Sequence, residues 1–258
     1  MATNAPPRCA TGWGIVTERT VEAIILSIGV AVAGALVGSG FARAKAADRY
    51  VTVKGVTERE VRADLAIWPL HVVAADNDLN IAHARLEKSI AGVKQFLGGQ
   101  GLDTTKIELT GFSVSDAQAN EYSGERRGSR YILKQTVVLR SSDVDKILAA
   151  SQRVGDLASV GVSLSSGGEY GPGGGGPTFI FSGLNKLKPP MIAEATAHAR
   201  EAADQFARDS HSSLGGIRQA NQGVFEILPR DEAPGITEGS QVAKRVRVVS
   251  TVDYFLKN

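Results

Sequence analysis

Three side chains near residue 200 have the types and the spacing that a metal site requires. Glu194, His198 and Glu201 stand at i, i+4 and i+7 of a segment with helical periodicity, so they share one helix face. Carboxylate and imidazole groups are ligands for transition metals. The predicted apolar core stripe lies directly beside them, at Ala195, Ala199, Ala202 and Phe206. With no HExxH or paired-cysteine motif nearby, the sequence favours a solvated charged face and predicts no metal and no cofactor.

The remaining candidates for catalysis are weaker. His71, His83 and His211 are scattered along the chain, and neither a GxSxG motif nor an acid–base pair accompanies them. The glycine-rich stretch Gly171–Gly176 lacks the lysine of a phosphate-binding loop and precedes a predicted strand, where such a loop needs a helix. We therefore interpret it as a hairpin loop or linker. No catalytic residue is predicted, and we expect a protein that is not an enzyme.

Two local features have structural interpretations. Proline removes a hydrogen-bond donor from a strand, so Trp68-Pro69 predicts a kink at a strand edge or at a bulge. Arg126 and Arg127 lie among polar residues and glycines, which predicts a solvated hairpin tip.

A run of 20 residues without charge, Ala23–Ala42, lies near the start of the chain. At 1.5 Å per residue such a helix crosses the roughly 30 Å hydrocarbon core of a bilayer. The candidate cleavage sites after it carry cations, so a retained anchor is favoured over a cleaved signal. We predict a short tail at residues 1–21, a transmembrane anchor or uncleaved signal at 22–43, and an exported domain at 50–258, with membrane lipid as a partner of the helix.

The flanks of this run do not determine its orientation. Two cations, Arg8 and Arg19, precede it, and three follow it closely, so the charge bias differs by one. Inside the run, Gly34 and Gly38 form a GxxxG pair, which either packs two such helices together or is simply tolerated. The single cysteine, Cys9, precedes the run, so neither lipid attachment nor an internal disulfide is indicated.

Charge excludes one class of partner. Of the 29 Lys and Arg residues five precede Tyr50, and of the 27 Asp and Glu residues three do, which leaves 24 of each sign in the rest of the chain. A neutral, mixed surface lacks the basic stripe that nucleic-acid binding requires. We therefore expect no nucleic-acid partner.

Periodicity in the first half of the domain alternates between strands and a helix. Tyr50–Val56 and Val61–Val73 predict a hairpin in which Val61, Ala63, Leu65 and Ile67 share one face. A helix is predicted over Asn77–Gly98. A second strand pair follows at Ile107–Val114 and Tyr131–Arg140, and a change of parity predicts a bulge at Gly111.

The second half repeats this order. Helices are predicted over Asp143–Ala158 and Pro189–Asp209, and strands over Val162–Ser166, Thr178–Ser182, Gln219–Leu228 and Lys244–Leu256. The fold class is therefore α+β, with a mainly antiparallel sheet that carries about three helices and follows one N-terminal transmembrane helix.

Several segments of the domain resemble one known family. They are YVTVKGVTEREVRADLAIWP from Tyr50, IELTGFSV from Ile107, YILKQTVVLRSSDVDKI from Tyr131, and ATAHAREAADQFARDS followed by GGIRQANQGVF. In order and spacing they are similar to the SIMPL-domain family of bacterial envelope proteins, which is related to the periplasmic immunogenic antigens. The resemblance covers nearly all of Tyr50–Asn258 and is closest to the branch with an N-terminal membrane segment. One departure from the usual pattern is the glycine-rich stretch Gly171–Gly176.

The resemblance implies export across the inner membrane, assembly into rings or channel-like homo-oligomers, and a role in resistance to oxidative or DNA-damaging stress. It brings no catalytic residues. We expect a single-pass inner-membrane protein with its domain in the periplasm. Two alternatives remain open: a module that binds or converts a small ligand, and an adaptor for another envelope protein.

Overall fold

The structure is a computed structural model that describes residues 14–46, 49–119, 128–165 and 176–257. The chain divides into two compact units. The first comprises Met1–Val53, Glu201–Ala220 and Val252–Asn258, and the second comprises Lys54–Arg200 and Asn221–Thr251.

The first element is a long helix, α1, over Gly14–Ala46. Its segment Glu22–Phe41 has a mean hydropathy of 2.2, and all its side chains are exposed. Among the described residues it is the one helix with the length and composition of a membrane span, which are also those of a signal sequence.

The remaining elements alternate between strands and helices. The strands are β1 Tyr50–Arg62, β2 Leu65–Asp76, β3 Ile107–Asp116, β4 Tyr131–Ser141, β5 Thr178–Ile180, β6 Ser213–Gln222, β7 Glu226–Pro229 and β8 Ala243–Lys257. The helices are α2 Leu79–Gly99, α3 Val144–Gln152, α4 Asp156–Ser159 and α5 Leu184–Asp209. Short 3-10 turns lie at Thr104–Lys106 and Glu238–Ser240.

The α+β class is confirmed, but the strands form two sheets where the sequence predicted one. One sheet has the order β1-β8-β6 with β7 also paired to β8, and the other has the order β3-β4-β2-β5. The predicted β1–β2 hairpin is therefore wrong. The two residues between these strands bond elsewhere, because Ala63 N–H donates to the Val242 carbonyl and Asp64 N–H to that of Ile180. Four helices follow α1 within the described residues, against about three predicted.

The more deeply buried face of β2 is the one opposite Leu65 and Ile67. The buried side chains are Ala66, Trp68, Leu70, Val72 and Ala74, whereas Leu65 and Ile67 are half-buried. Because β2 is a central strand with apolar residues on both faces, its alternation does not reveal which face is buried more deeply.

Pro69 causes no kink or bulge. It pairs with Val138 in an unbroken register between β2 and β4. His71 and Val73, which have the same parity, direct their backbone hydrogen bonds away from β4, to Ser165 and Ser163. The side of Pro69 that lacks an N–H donor therefore also faces away from β4. The pairing of β2 with β5 on that side ends at Ile67, so no ladder hydrogen bond is lost at Pro69.

Other predicted elements need smaller corrections. The predicted apolar stripe of α2 is buried at Ala82, Leu86, Ile90, Val93 and Leu97, whereas its first member, Leu79, is exposed. The Asp78 carboxylate caps this helix by accepting a hydrogen bond from the backbone N–H of Asn80. The predicted Asp143–Ala158 helix divides into α3 and α4. The predicted strand at Val162–Ser166 is described as far as residue 165, and within that part it forms the single bridge Val72–Leu164.

The last helix begins earlier than predicted. α5 starts at Leu184, so Pro189 and Pro190 lie inside it. Its buried stripe is Ala195, Ala199, Ala203 and Ala207, and Ala202 and Phe206 are exposed. Small side chains recur every four residues because the helix backbone lies close to its sheet. In the second unit, a Cβ added at Gly55 of β1 would overlap the Ala195 carbonyl oxygen and lie 2.5 Å from the Ala199 nitrogen.

The predicted strand Gln219–Leu228 divides into β6 and β7. Gly223 lies between them, and its N–H donates to the Val249 carbonyl of β8. A Cβ at this position would lie 2.6 Å from the same carbonyl oxygen, so the close backbone approach requires glycine.

Candidate functional site

Two of the three candidate metal ligands bind the neighbouring strand β1. The Glu194 carboxylate accepts a hydrogen bond from Arg59 at 3.1 Å. His198 Nδ1 lies 2.9 Å from the Val56 carbonyl oxygen, to which it donates. Glu201 is an exposed residue of the first unit. Within the described parts of the chain no three His, Cys, Asp or Glu residues cluster as metal ligands. Glu194 and His198 therefore attach α5 to β1.

The other histidines have separate surroundings. His71 Nδ1 lies 2.9 Å from Thr136 Oγ1, across the β2–β4 pair. His83 is exposed on α2, and His211 forms the turn after α5 with a φ of 53°. Arg126, Arg127 and Gly171–Gly175 lie outside the described residues.

Lowered carboxylate pKa values identify structural turns. A hydrogen bond from the Arg130 side chain lowers the pKa of Asp116, and the two residues join the ends of β3 and β4. The backbone N–H of Asp78 lowers the pKa of Asp76 at the turn before α2. A general acid at neutral pH needs a raised pKa, so these two carboxylates have the opposite character.

Three clefts of about 400 to 460 Å³ open on the second unit. The first is lined by Thr105, Glu108 and Arg140 among others, and the second by Arg85 and Lys88. Arg85 already pairs with Asp76 at 2.8 Å. Thr105 likewise donates to Asp103, and Arg62 of the third cleft pairs with Asp145, so these polar groups have partners within the chain and do not define a ligand site.

The most distinctive surface feature is an apolar row on β3. Gly111 has a φ of +62°, and the β3–β4 register shifts between Thr110 and Ser113. This bulge reverses the side-chain parity, so residues of different parity come to share one face. We call this set the β3 row; it consists of Leu109, Phe112 and Val114.

The β3 row extends the face that forms the core. Leu109 is opposite Val137 and Val114 is opposite Leu133, and both partners on β4 are fully buried. Directly opposite residues of antiparallel strands share a face of the sheet. The β3 row nevertheless remains 45%, 53% and 47% exposed, in chain order. α2 packs over β2 and β4, and β3 is the edge strand next to them.

The sequence revealed the bulge but not the exposure of the β3 row. An apolar strand residue is ordinarily assigned to the core, and the position of α2 over the sheet cannot be read from periodicity. The other predicted contact surface, Gly34 and Gly38 on α1, is open: no atom lies within 4 Å of a Cβ added at either residue.

Comparison with protein families identifies the domain. The family model described as "SIMPL: Protein of unknown function (DUF541)" matches residues 51–251. The chain belongs to the SIMPL family. This confirms the family resemblance, and the description assigns the family no enzymatic activity. The chain therefore combines a SIMPL domain with an N-terminal apolar helix.

Comparisons with individual proteins add little to this assignment. No curated protein matches the chain. Among the matching solved structures is the crystal structure of an uncharacterized conserved protein from Listeria innocua, with 14% identity and a TM-score of 0.14, covering 74% of this chain and 91% of that one.

Proposed function

We propose that this chain is a membrane-anchored, non-enzymatic SIMPL protein of the bacterial envelope whose domains associate with one another through the β3 row. The observation that carries the proposal is the exposure of Leu109, Phe112 and Val114 on the core face of an edge strand. Apolar side chains that are contiguous and half exposed on a folded domain are typical of an interaction surface.

A second copy of the chain is the proposed occupant. Every copy tethered by α1 is confined to the same bilayer, so the effective concentration of the domains is high and a small interface suffices. The β3 row carries no charge, so two rows meet without electrostatic repulsion. Gly34 and Gly38 offer a second contact inside the bilayer, where small residues allow close helix approach.

The anchor and its orientation are part of this proposal. Twenty apolar residues without a good cleavage site favour a retained single-pass helix in the inner membrane. Family resemblance favours a periplasmic location for the domain and a role in resistance to oxidative or DNA-damaging stress. On this view the protein supports envelope integrity as an assembly.

Two alternative functions would use other surfaces or other partners of the same chain. An adaptor would offer the β3 row to another envelope protein, and a ligand-binding or catalytic module would use one of the clefts. The association test below separates the adaptor from the assembly, because only the assembly forms crosslinks between two copies of this chain.

The test compares crosslinking of full-length protein in native membranes with that of Phe112→Ser. Burying a phenylalanine that is half exposed contributes on the order of 1 kcal/mol per copy. Loss from both copies should therefore weaken a dimer about 30-fold. Val224→Ser, at an exposed apolar residue outside the row, is the matched control and should leave crosslinking unchanged.

Three results would contradict the proposal. Crosslinks that persist undiminished in Phe112→Ser refute the β3 row as the interface, and absence of crosslinks in the unmodified protein refutes self-association. Release of the chain by carbonate extraction, with a mature N-terminus near Ala44, refutes the anchor.

A further inference from the structure

The chain length between the apolar helix and the first strand restricts where the first unit lies. Phe41 is the last residue of the apolar window, α1 continues to Ala46, and β1 begins at Tyr50. Five helical residues and four extended ones span at most roughly 22 Å. The headgroup layer on one side of a bilayer is about 5 to 8 Å thick. If α1 spans the membrane, the start of β1 therefore lies within roughly 17 Å of the headgroup surface.

Three other chain segments meet at the start of β1. Leu256 N–H donates to the Arg49 carbonyl at 2.9 Å, so the end of β8 lies beside it. Ser213 Oγ donates to the Lys257 carbonyl at 3.4 Å, so the beginning of β6 lies there too. α5 ends at Asp209, only four residues before Ser213. All these residues belong to the first unit.

This end of the first unit is rich in cations. Arg49, Arg208 and Lys257 are exposed there, and we call these three residues the basic rim. In the sequence, Arg43 and Lys45 stand shortly before β1, and the acids directly next to rim residues are Asp48 and Asp209. The balance is positive, although the chain from Tyr50 onward is neutral.

An aromatic side chain accompanies the basic rim. Tyr50 is 46% exposed, and the guanidinium carbon of Arg218 lies 4.1 Å from the centroid of its ring. Tyrosine is enriched at the level of lipid headgroups, where its ring meets apolar carbon and its hydroxyl meets water. The stacked guanidinium adds a positive charge beside this ring.

We infer that the basic rim binds the anionic phospholipid headgroups of the bilayer that holds α1. Juxtamembrane lysine and arginine residues are attracted to anionic lipid within a Debye length of the surface. The chain keeps the start of β1 within roughly 17 Å of the headgroup surface, about two Debye lengths, so a small movement brings the basic rim into this range and binding requires little further ordering. The inference rests on the proposed anchor, and its consequence is that lipid composition controls how closely the domain lies to the membrane.

The experiment uses the full chain in lipid nanodiscs. Cys9→Ser removes the native thiol, and Ser213→Cys, at an exposed residue beside the rim, carries a fluorophore. Quenching is measured with a nitroxide on the lipid headgroups, in discs of phosphatidylcholine alone and in discs with about one third phosphatidylglycerol. We expect quenching at least about twofold stronger in the anionic discs, and loss of this increment at about 1 M salt, where the Debye length is about 3 Å.

Two triple variants with the same change of charge complete the design. Arg49→Gln, Arg208→Gln and Lys257→Gln together should abolish the increment. The control changes three exposed lysines of the second unit to glutamine, at Lys88, Lys94 and Lys186, and should preserve it. Since salt is tested on the unsubstituted rim, the measurement remains decisive if the rim variant does not fold.

The outcomes separate the rim from the anchor. A chain that elutes with the discs but shows equal quenching in both lipids, or an increment that resists salt, overturns the inference while the anchor stands. Loss of the increment in the control variant to the same extent also overturns it. A chain that does not elute with the discs overturns both.

Discussion

Replacing Gly55 by alanine tests the closest contact between helix and sheet in the second unit. The added Cβ would overlap the Ala195 carbonyl oxygen and lie 2.5 Å from the Ala199 nitrogen, and both atoms belong to the backbone of α5. A flexible side chain could rotate away from such a clash, but a helix backbone must move as a whole. The substitution therefore separates α5 from β1 locally and strains the hydrogen bond between His198 and Val56.

The expected cost follows from overpacking. Extra methyl groups in a well-packed interior cost typically 1 to 3 kcal/mol, and a clash with backbone belongs at the upper end, about 3 kcal/mol. For a domain of this size each kcal/mol lowers the melting temperature by about 2 to 4 °C. We therefore expect Gly55→Ala to lower it by about 6 to 12 °C.

Trp68 provides the assay, because its indole is fully buried in the core of the second unit. Its fluorescence during urea unfolding of the full chain in detergent reports the free energy of unfolding of that core. Gly99→Ala is the matched control, since no atom lies within 4 Å of the added Cβ at the end of α2. A Gly55→Ala protein within about 1 kcal/mol of the unsubstituted protein would refute the close packing of α5 on β1.

Two further predictions concern charged pairs. Because the bond from Arg130 lowers the pKa of Asp116, this carboxylate stabilises the fold above its ordinary pKa of 3.8, and its contribution is lost as the pH falls through the lowered value. Asp116→Asn should flatten the dependence of the urea midpoint on pH below about 4, and an unchanged slope in this variant would contradict the assignment. Lys244 is fully buried and pairs with Glu238, so Glu238→Gln should destabilise the protein more than Lys244→Met, because it leaves a buried ammonium without its counter-charge. If Lys244→Met lowered the melting temperature more than Glu238→Gln, the ion pair with Glu238 would not account for the burial of Lys244.

Much of the fold could be predicted from the sequence where one face of an element is apolar. The stripe of α2, the core face of β4 and the bulge at Gly111 follow from periodicity and from a change of parity. The family resemblance rested on segments that the family model also covers.

Long-range pairing could not be predicted in the same way. Only Ala63 and Asp64 separate β1 from β2, which indicates a hairpin, yet these residues bond to Val242 and Ile180. Such partners lie more than a hundred residues away, and no local pattern encodes them. On α5, alanines at nearly every turn made the stripes at Ala202 and at Ala203 equally plausible, and only the position of the sheet distinguishes them.

The exposure of the β3 row follows from the dimensions of its elements. An α-helix with its side chains is about 10 to 12 Å wide, and neighbouring strands lie about 4.8 Å apart, so one helix covers little more than two strands. α2 packs over β2 and β4, so in the order β3-β4-β2-β5 the edge strand β3 receives no cover from it. A solvated edge would ordinarily present polar residues on this face, as β3 does on its opposite face with Glu108 and Ser113. The bulge at Gly111 instead brings Phe112 and Val114 to the same face as Leu109, which is the arrangement expected if another surface covers the edge strand when the protein is assembled.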